Sequence, residues 1–282
     1  MMISMPWDYK IWWELTTGCN KVTEGCKNCV AEVCNDLKQM GVPRYKNGFN
    51  FTLHESELIK LKHFRAKRCF VSISDMSDLF HPDVPDEFII KVFNIIKNNP
   101  QHFFKIATKG SKKLMEISHK LPFPIPKNTI IGVSVESPDY YYRIEDLCDT
   151  VSNGQKGIQI APLINMMPDL PLKGIDVVTC CDERGSNARP FDPMWISQIA
   201  WQCREAKVRF ENFCGWELLD PIKVYRAAMI LQLIEPTNGL FAFPGNYYPK
   251  SAQLIQLFKD LQDLPLGDLK ALVNRVAPEF FK

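Results

Sequence analysis

Apolar, β-branched runs alternate with stretches of helical period along most of this chain, and that alternation restricts the fold more than any other feature. Repeated strand-then-helix units build a parallel sheet, because parallel strands cannot be joined by a tight hairpin and need a helix as the crossover. The strand candidates are 10–16, 69–74, 102–108, 129–136, 157–164, 175–180 and 208–213. Between them 31–40, 86–97, 111–119 and 193–207 read as helices, and 140–148 is a Tyr-rich segment. Within 86–97 the residues Phe88, Ile89, Val92, Phe93 and Ile96 recur at helical spacing, and Gly41 and Pro43 close the helix 31–40. Six or seven such units predict an α/β fold, a partial or nearly closed (β/α) barrel of parallel strands over residues 1–216. Past that point 221–233, 251–261 and 266–276 read as helices with no further strand, so 217–282 is expected to be a helical extension packed on the barrel.

The 282 residues, 46% of them apolar, are enough to bury a proper core. Ten cysteines would suggest disulfides in a short secreted chain, but here they are spread over a long one without a secretory apolar segment at its start. Reduced thiols and a cytoplasmic location are expected. The longest apolar runs are too short to cross a bilayer, so no membrane partner is expected. A net charge of +2 leaves a nucleic-acid partner open, because binding needs a local basic surface.

Three cysteines, Cys19, Cys26 and Cys29, crowd the segment Thr17-Gly-Cys-Asn-Lys-Val-Thr-Glu-Gly-Cys-Lys-Asn-Cys29. A structural zinc site wants four protein ligands, whereas a 4Fe-4S cluster held by three thiolates keeps one iron free for a small molecule. Cys34 makes a four-cysteine zinc knot a chemical alternative. It is the less favoured one, since no second C-x-x-C pair follows: Cys69 is isolated and the next cysteine is Cys148.

In a parallel α/β fold ligands bind at the carboxyl ends of the strands, and polar residues recur there. The cysteine loop follows the first strand, Ser74-Asp75-Met76-Ser77-Asp78 the second, Thr108-Lys109 the third, Ser134-Val135-Glu136 the fourth, and Cys180-Cys181-Asp182-Glu183-Arg184 a later one. Each alone has an ordinary reading as a helix cap, a turn or a solvated charge.

Together with Ser74-Asp-Met-Ser-Asp-Leu-Phe-His81, Thr108-Lys109, Gly132-Val-Ser-Val-Glu136 and Ala188-Arg-Pro190, the cysteine segment resembles, in order over about residues 10–216, a phage-associated radical SAM family long described as a domain of unknown function. Radical SAM enzymes most often space their cysteines C-x3-C-x-x-C; this chain has six residues between Cys19 and Cys26, a spacing the resembled family shares. The family's Lys-Gln before Trp-Gly is replaced here by Asn212-Phe-Cys-Gly-Trp216, and its Tyr after the third cysteine by Val30. The resemblance implies an iron-sulfur enzyme in which Cys19, Cys26 and Cys29 hold a 4Fe-4S cluster. The open iron would chelate S-adenosylmethionine (SAM), and an external one-electron reductant would drive formation of a 5'-deoxyadenosyl radical that abstracts hydrogen from substrate. Ser74 and Asp75 are then expected to meet the SAM amino group, Ser134 and Glu136 its ribose, and Lys109 completes the expected cofactor contacts. Cys180, Cys181 and Cys214 are candidate hydrogen donors, with plain packing as the competing reading. Arg184 and Arg189 are candidates to pair with a substrate phosphate or carboxylate, or else form structural ion pairs.

The phage association points to a modified nucleobase in DNA or in a nucleotide, such as an amino-acid-bearing thymine, rearranged by isomerisation. Basic groups at Lys60, Lys62, Arg65, Lys67 and Arg68 around Phe64, and at Lys109, Lys112 and Lys113, could grip a phosphate backbone or form a solvated face. Tyr140, Tyr141 and Tyr142 with Arg143 could stack bases or pack on the core. DNA-lesion repair and action on a peptide or amino acid are the other enzymatic readings; a zinc-stabilised nucleic-acid-binding module is the non-catalytic one.

Overall fold

Chain order and sheet order coincide. The computed structural model describes residues 9–64, 68–183, 187–190 and 192–214; the helices expected at 221–233, 251–261 and 266–276, and with them the C-terminal extension, lie outside the described residues. Strand β1 is Tyr9–Trp13; β2 (Thr16–Thr17) and β3 (Thr52–Leu53) form a separate antiparallel ladder; β4 is Cys69–Ile73, β5 Phe103–Thr108, β6 Thr129–Ser134, β7 Gln155–Ile160, β8 Val177–Cys180 and β9 Arg209–Asn212. The seven longer strands form one parallel sheet in the order β1-β4-β5-β6-β7-β8-β9. The expected α/β class with a parallel sheet is therefore observed, with β1 and β9 at its two ends among the described residues.

The helices are α1 (Val33–Gln39), α2 (Asp86–Lys97), α3 (Ser111–Lys120), α4 (Tyr142–Asp149) and α5 (Pro193–Glu205). Right-handed crossovers between sequential parallel strands place successive helices on the same face of the sheet. One buried cluster accordingly joins Val71, Ile73, Phe104, Ile106, Ile131, Val133, Ile158, Ile160 and Val178 from the strands to apolar residues of α2, α3, α4 and α5. In α2 the five residues picked out by their spacing are all buried. At about 1.5–3 kcal/mol for each buried side chain, their docking far outweighs the few tenths that intrinsic propensity contributes per residue.

Alternation along the strands sends the other set of side chains to the opposite face. There Ser72, Lys105, Ala107, Gly132, Gly157, Gln159 and Thr179 line a cavity of about 390 Å³ that reaches from Lys10 on β1 to Glu211 on β9.

Candidate functional site at the strand carboxyl ends

The cysteine loop leaves β2 through Gly18, which has φ +71 and packs so tightly that a Cβ there would lie 2.3 Å from the Asn50 carbonyl oxygen. Only glycine serves at such a position. The Cys19 amide donates to the Phe49 carbonyl (3.1 Å) and the Ser77 hydroxyl to the Gly18 carbonyl (2.5 Å), which ties the start of the loop to the end of β4. Cys26 ends a 3₁₀ turn (Glu24–Cys26) and is buried, while Cys19 and Cys29 are half-buried; all three are free thiols.

Two polar clamps hold the middle of the loop. In the first, Glu136 is fully buried under it, with Lys109 Nζ 2.7 Å from Oε1 and Arg143 Nη1 3.3 Å from Oε2. The Thr23 hydroxyl also donates to Glu136 and accepts from Lys109 Nζ at 3.0 Å. Gly25 rests on the same carboxylate, where a Cβ would be 2.7 Å from Glu136 Cγ. Burial works against the Cys26 thiolate, but the Thr23 hydroxyl, the Lys109 charge and the Val22 and Thr23 amides outweigh it and lower the thiol's pKa. Burial pushes Cys19 up to about 12 and also raises Cys29; each thiolate additionally feels the charge of its neighbours, Cys26 among them.

In the second clamp the Glu183 carboxylate receives Arg189 through Nε (2.9 Å), Nη2 (2.5 Å) and the backbone N–H (2.7 Å), together with Asn28 Nδ2 at 2.9 Å. Arg189 reaches on to Glu24 Oε1 (2.7 Å) and to its carbonyl (3.0 Å), so the loop after β8 grips the cysteine loop. Burial alone would raise the Glu183 pKa, but these donors hold it at about 2, below the ordinary 4.5. A carboxyl depressed in the folded state stabilises fully above its unfolded value and loses that contribution as pH falls through the folded one. Stability is therefore expected to fall between about pH 4.5 and 2. Glu183→Gln should cost about 1.5–3 kcal/mol at pH 7, the range for hydrogen bonds to a charged group, and flatten that acid limb in denaturant melts.

Asp75, on the cavity lining, lies two residues before Ser77, which bonds the start of the loop. Asp75 is exposed and accepts the Ser72 hydroxyl at 2.7 and 2.8 Å, which leaves carboxylate capacity facing the cavity. Ser74 adopts φ +54, in the left-handed region, and its hydroxyl is buried without a partner. Non-glycine residues persist in that region where the surroundings over-determine them, as at ligand sites. Asp78 organises the next strand end by accepting the Thr108 hydroxyl (2.6 Å) and the Lys109 and Phe80 amides (2.9 and 2.8 Å).

The other expected site residues are placed as follows. Glu136 and Lys109 anchor the loop: Glu136 has no exposed surface, and both charges are already engaged with each other. Ser134 is buried with its carbonyl bonded to Arg143, and by alternation with Ile130 and Gly132 it falls on the cavity face of β6. Cys180 points away from the cavity into the helix-side core, because Val177 and Thr179 take the alternate positions; Cys214 is buried against it, sulfur to sulfur 3.9 Å. Cys181, half-buried, falls by alternation on the same face as Thr179. Arg189 is a structural ion pair, and Arg184 lies outside the described residues. Lys113 caps the carbonyls of His81, Pro82 and Val84, and Arg143 is buried beneath Tyr140, so neither forms an open basic or stacking surface. Of the other basic group, Lys60 pairs with Glu57 at 3.4 Å, while Arg65 and Lys67 lie outside the described residues.

Two residues escaped the sequence reading. Glu14 is buried at the end of β1, with Oε2 accepting the Met76 amide (3.2 Å) and Oε1 unpartnered. Its signal was a lone acid in the apolar run 10–16. Lys105 lines the cavity from the middle of β5, where half-buried and buried residues alternate and it falls among the half-buried ones facing away from the core.

Three free thiols on one loop are the ligand type of an iron-sulfur cluster, and the Cys26 pKa is lowered. Among the described residues no group of three His, Cys, Asp or Glu is gathered as a metal site. Cys34, the fourth ligand of the zinc alternative, is fully buried in α1, and burial raises its pKa. Also among the described residues, no helix is long and apolar enough to cross a membrane.

A family described as "Protein of unknown function (DUF5131)" matches residues 4–229. No curated protein matches the chain. A solved glycerophosphoryl diester phosphodiesterase from Parabacteroides distasonis ATCC 8503 is similar at 13% identity, with a TM-score of 0.28. That similarity covers 57% of this chain and 52% of the phosphodiesterase, about half the length of each.

Proposed function

We propose, from the premise that this chain belongs to the DUF5131 family of proteins of unknown function, that it is a radical SAM enzyme built on a partial (β/α) barrel. The observation that carries this reading is the position of Cys19, Cys26 and Cys29: three free thiols on one loop, clamped twice to residues at the carboxyl ends of the strands. A 4Fe-4S cluster bound there would supply an open iron for SAM and the electron that releases a 5'-deoxyadenosyl radical.

The chain's own residues prepare that chemistry. Thr23 and Lys109 favour the Cys26 thiolate, and Glu136 with Arg143 fixes Lys109 in place. Asn28, Glu183 and Arg189 hold the Cys26–Cys29 stretch against the loop after β8. Asp75 presents a carboxylate to an ammonium group at the rim. The sheet face surrounds the bound substrate, limiting water and fixing the distance of the reacting carbon. The reaction assigned is hydrogen abstraction and isomerisation on a modified nucleobase such as an amino-acid-bearing thymine in phage DNA. An external reductant supplies the electron, in the cytoplasm of the host.

The test is anaerobic iron and sulfide analysis with electron spin resonance of the reduced protein, with and without SAM, beside Cys26→Ala. A 4Fe-4S signal perturbed by SAM and lost in Cys26→Ala is expected. Bound zinc without iron after anaerobic reconstitution would sink the radical mechanism and favour the zinc-stabilised binding module.

A further inference from the structure

Ala107, Gly132 and Gly157 stand in register on three neighbouring strands, so the middle of the cavity face is almost bare of side chains. Neighbouring strands lie about 4.8 Å apart, which makes this belt roughly 10 Å across. Ile130 and Val177 wall it, since a Cβ on Gly157 would lie 3.2 Å from a methyl carbon of each. The result is a flat apolar slot, sized for one ring system lying on the sheet.

Polar groups border the slot on both sides. Toward the carboxyl ends, Gln159 pairs in register with Thr179, and Thr179 with Glu211. The Gln159 Oε1 atom is sealed from solvent without a hydrogen-bond partner, although the residue lines the cavity. An unpartnered buried acceptor is costly, and a ligand N–H would relieve it. On the other side, Lys105 is half-buried beside Ser72 and Ile130 in register. Among the described residues its ammonium has neither an ion pair nor a hydrogen bond. The other cavity-lining ammonium, Lys10, sits at the start of β1 over the Trp12 ring, 5.2 Å from its centroid. With no arginine fork or nest of amides beside it, the Lys105 ammonium matches one carboxylate better than a phosphate, which gathers several donors.

We propose that the cavity is the substrate pocket and that it takes one flat, N–H-bearing heteroaromatic ring with a carboxylate arm. The ring lies on the Ala107–Gly132–Gly157 belt, its N–H donates to Gln159 Oε1, and the carboxylate meets Lys105. A volume of about 390 Å³ holds one such ligand and no stack. A ring carried by a nucleic acid must therefore swing out of its helix to enter. The chemistry at that ring rests on the radical reading above; its binding does not.

Calorimetric titration of the full chain tests this, with uracil-5-carboxylate as probe and uracil as the armless control. Lys105→Gln is expected to weaken the probe at least about tenfold and leave uracil unchanged, and Lys105→Arg should recover part of the loss. Gln159→Leu should weaken both compounds yet raise the melting temperature, because the orphaned oxygen is gone. That pair of opposite signs is not what loss of folding produces. Absence of probe binding to the unaltered chain at millimolar concentration, or equal binding by Lys105→Gln, overturns the proposal.

Competition distinguishes the source of the ring. Displacement of the probe by a carboxylated nucleoside, a single strand or a duplex carrying the base each supports the pocket, while displacement by none of them overturns it. Lys105-dependent binding in a preparation that takes up no iron would leave the pocket standing and the radical reading fallen. Iron uptake without probe binding would do the reverse.

Discussion

Glu136→Ala should lower stability by about 3–5 kcal/mol, the cost of breaking a buried ion pair by removing one partner. The carboxylate is wholly buried and answers two cations and a hydroxyl at once: Lys109, Arg143 and Thr23. With the carboxylate gone, Arg143 keeps its bond to the Ser134 carbonyl but sits 2% exposed with its charge unmatched. Gly25 and Thr23 lose their support at the same time, so the damage reaches the cysteine loop. Denaturant melts read the stability. Alkylation rates of Cys26, buried in the intact protein, read the loop and should rise severalfold. Glu136→Gln keeps the size and an acceptor for Thr23 but not the charge, and should fall between wild type and Ala. A melt for Glu136→Ala within 1 kcal/mol of wild type would mean that the network contributes no more than a surface ion pair.

The parts of this fold legible in the sequence are those with long periodic signals. The helix expected at 86–97 is α2 (Asp86–Lys97) because five large apolar residues on one stripe leave little room for another arrangement. The strand expected at 129–136 is shorter, β6 (Thr129–Ser134), because the chain turns toward the Ser137 cap, whose hydroxyl accepts the Asp139 amide. The β2–β3 ladder and the 3₁₀ segment Glu55–Phe64 passed unseen, since two-residue strands carry no period and long 3₁₀ runs are rare.

Within the candidate site, local spacing marks the cysteines that share one loop, and the strand-end position marks Asp75, which lines the cavity. What could not be read was the direction of side chains and the long-range pairing. Cys180 and Cys214 looked alike as strand-end thiols, yet a one-residue phase decides between cavity and core. Arg189 looked like a ligand for an anion, and its anion is Glu183, six positions before it, with Glu24 completing the pair from the cysteine loop. The small residues of β5, β6 and β7 acquire meaning only when pairing register aligns them.

Glu14 should give the molecule a pH dependence of the opposite sign to that of Glu183. Burial is the main cause of its raised pKa, about 7 against the ordinary 4.5, and the nearby Asp75 charge adds to it, while the Met76 and Asp75 amides and Arg44 act the other way. The folded chain thus retains a proton that the unfolded chain has already released. Below about pH 4.5 both states are protonated and the residue costs nothing; between 4.5 and 7 stability declines as pH rises; above 7 the full penalty is present. At 1.36 kcal/mol per pKa unit the penalty comes to about 3 kcal/mol. Glu14→Gln, which cannot ionise, should therefore match wild type at pH 4 and exceed it by about that amount at pH 8. The same stability difference at both pH values would show that ionisation is not the cause. Asp75 lies on the cavity rim, so the charge of Glu14 also bears on the site: an ammonium bound by Asp75 would favour the Glu14 carboxylate and lower its pKa. Ligand-induced stabilisation should then be greater at pH 7 than at pH 5 in wild type, and this extra pH dependence should disappear in Glu14→Gln.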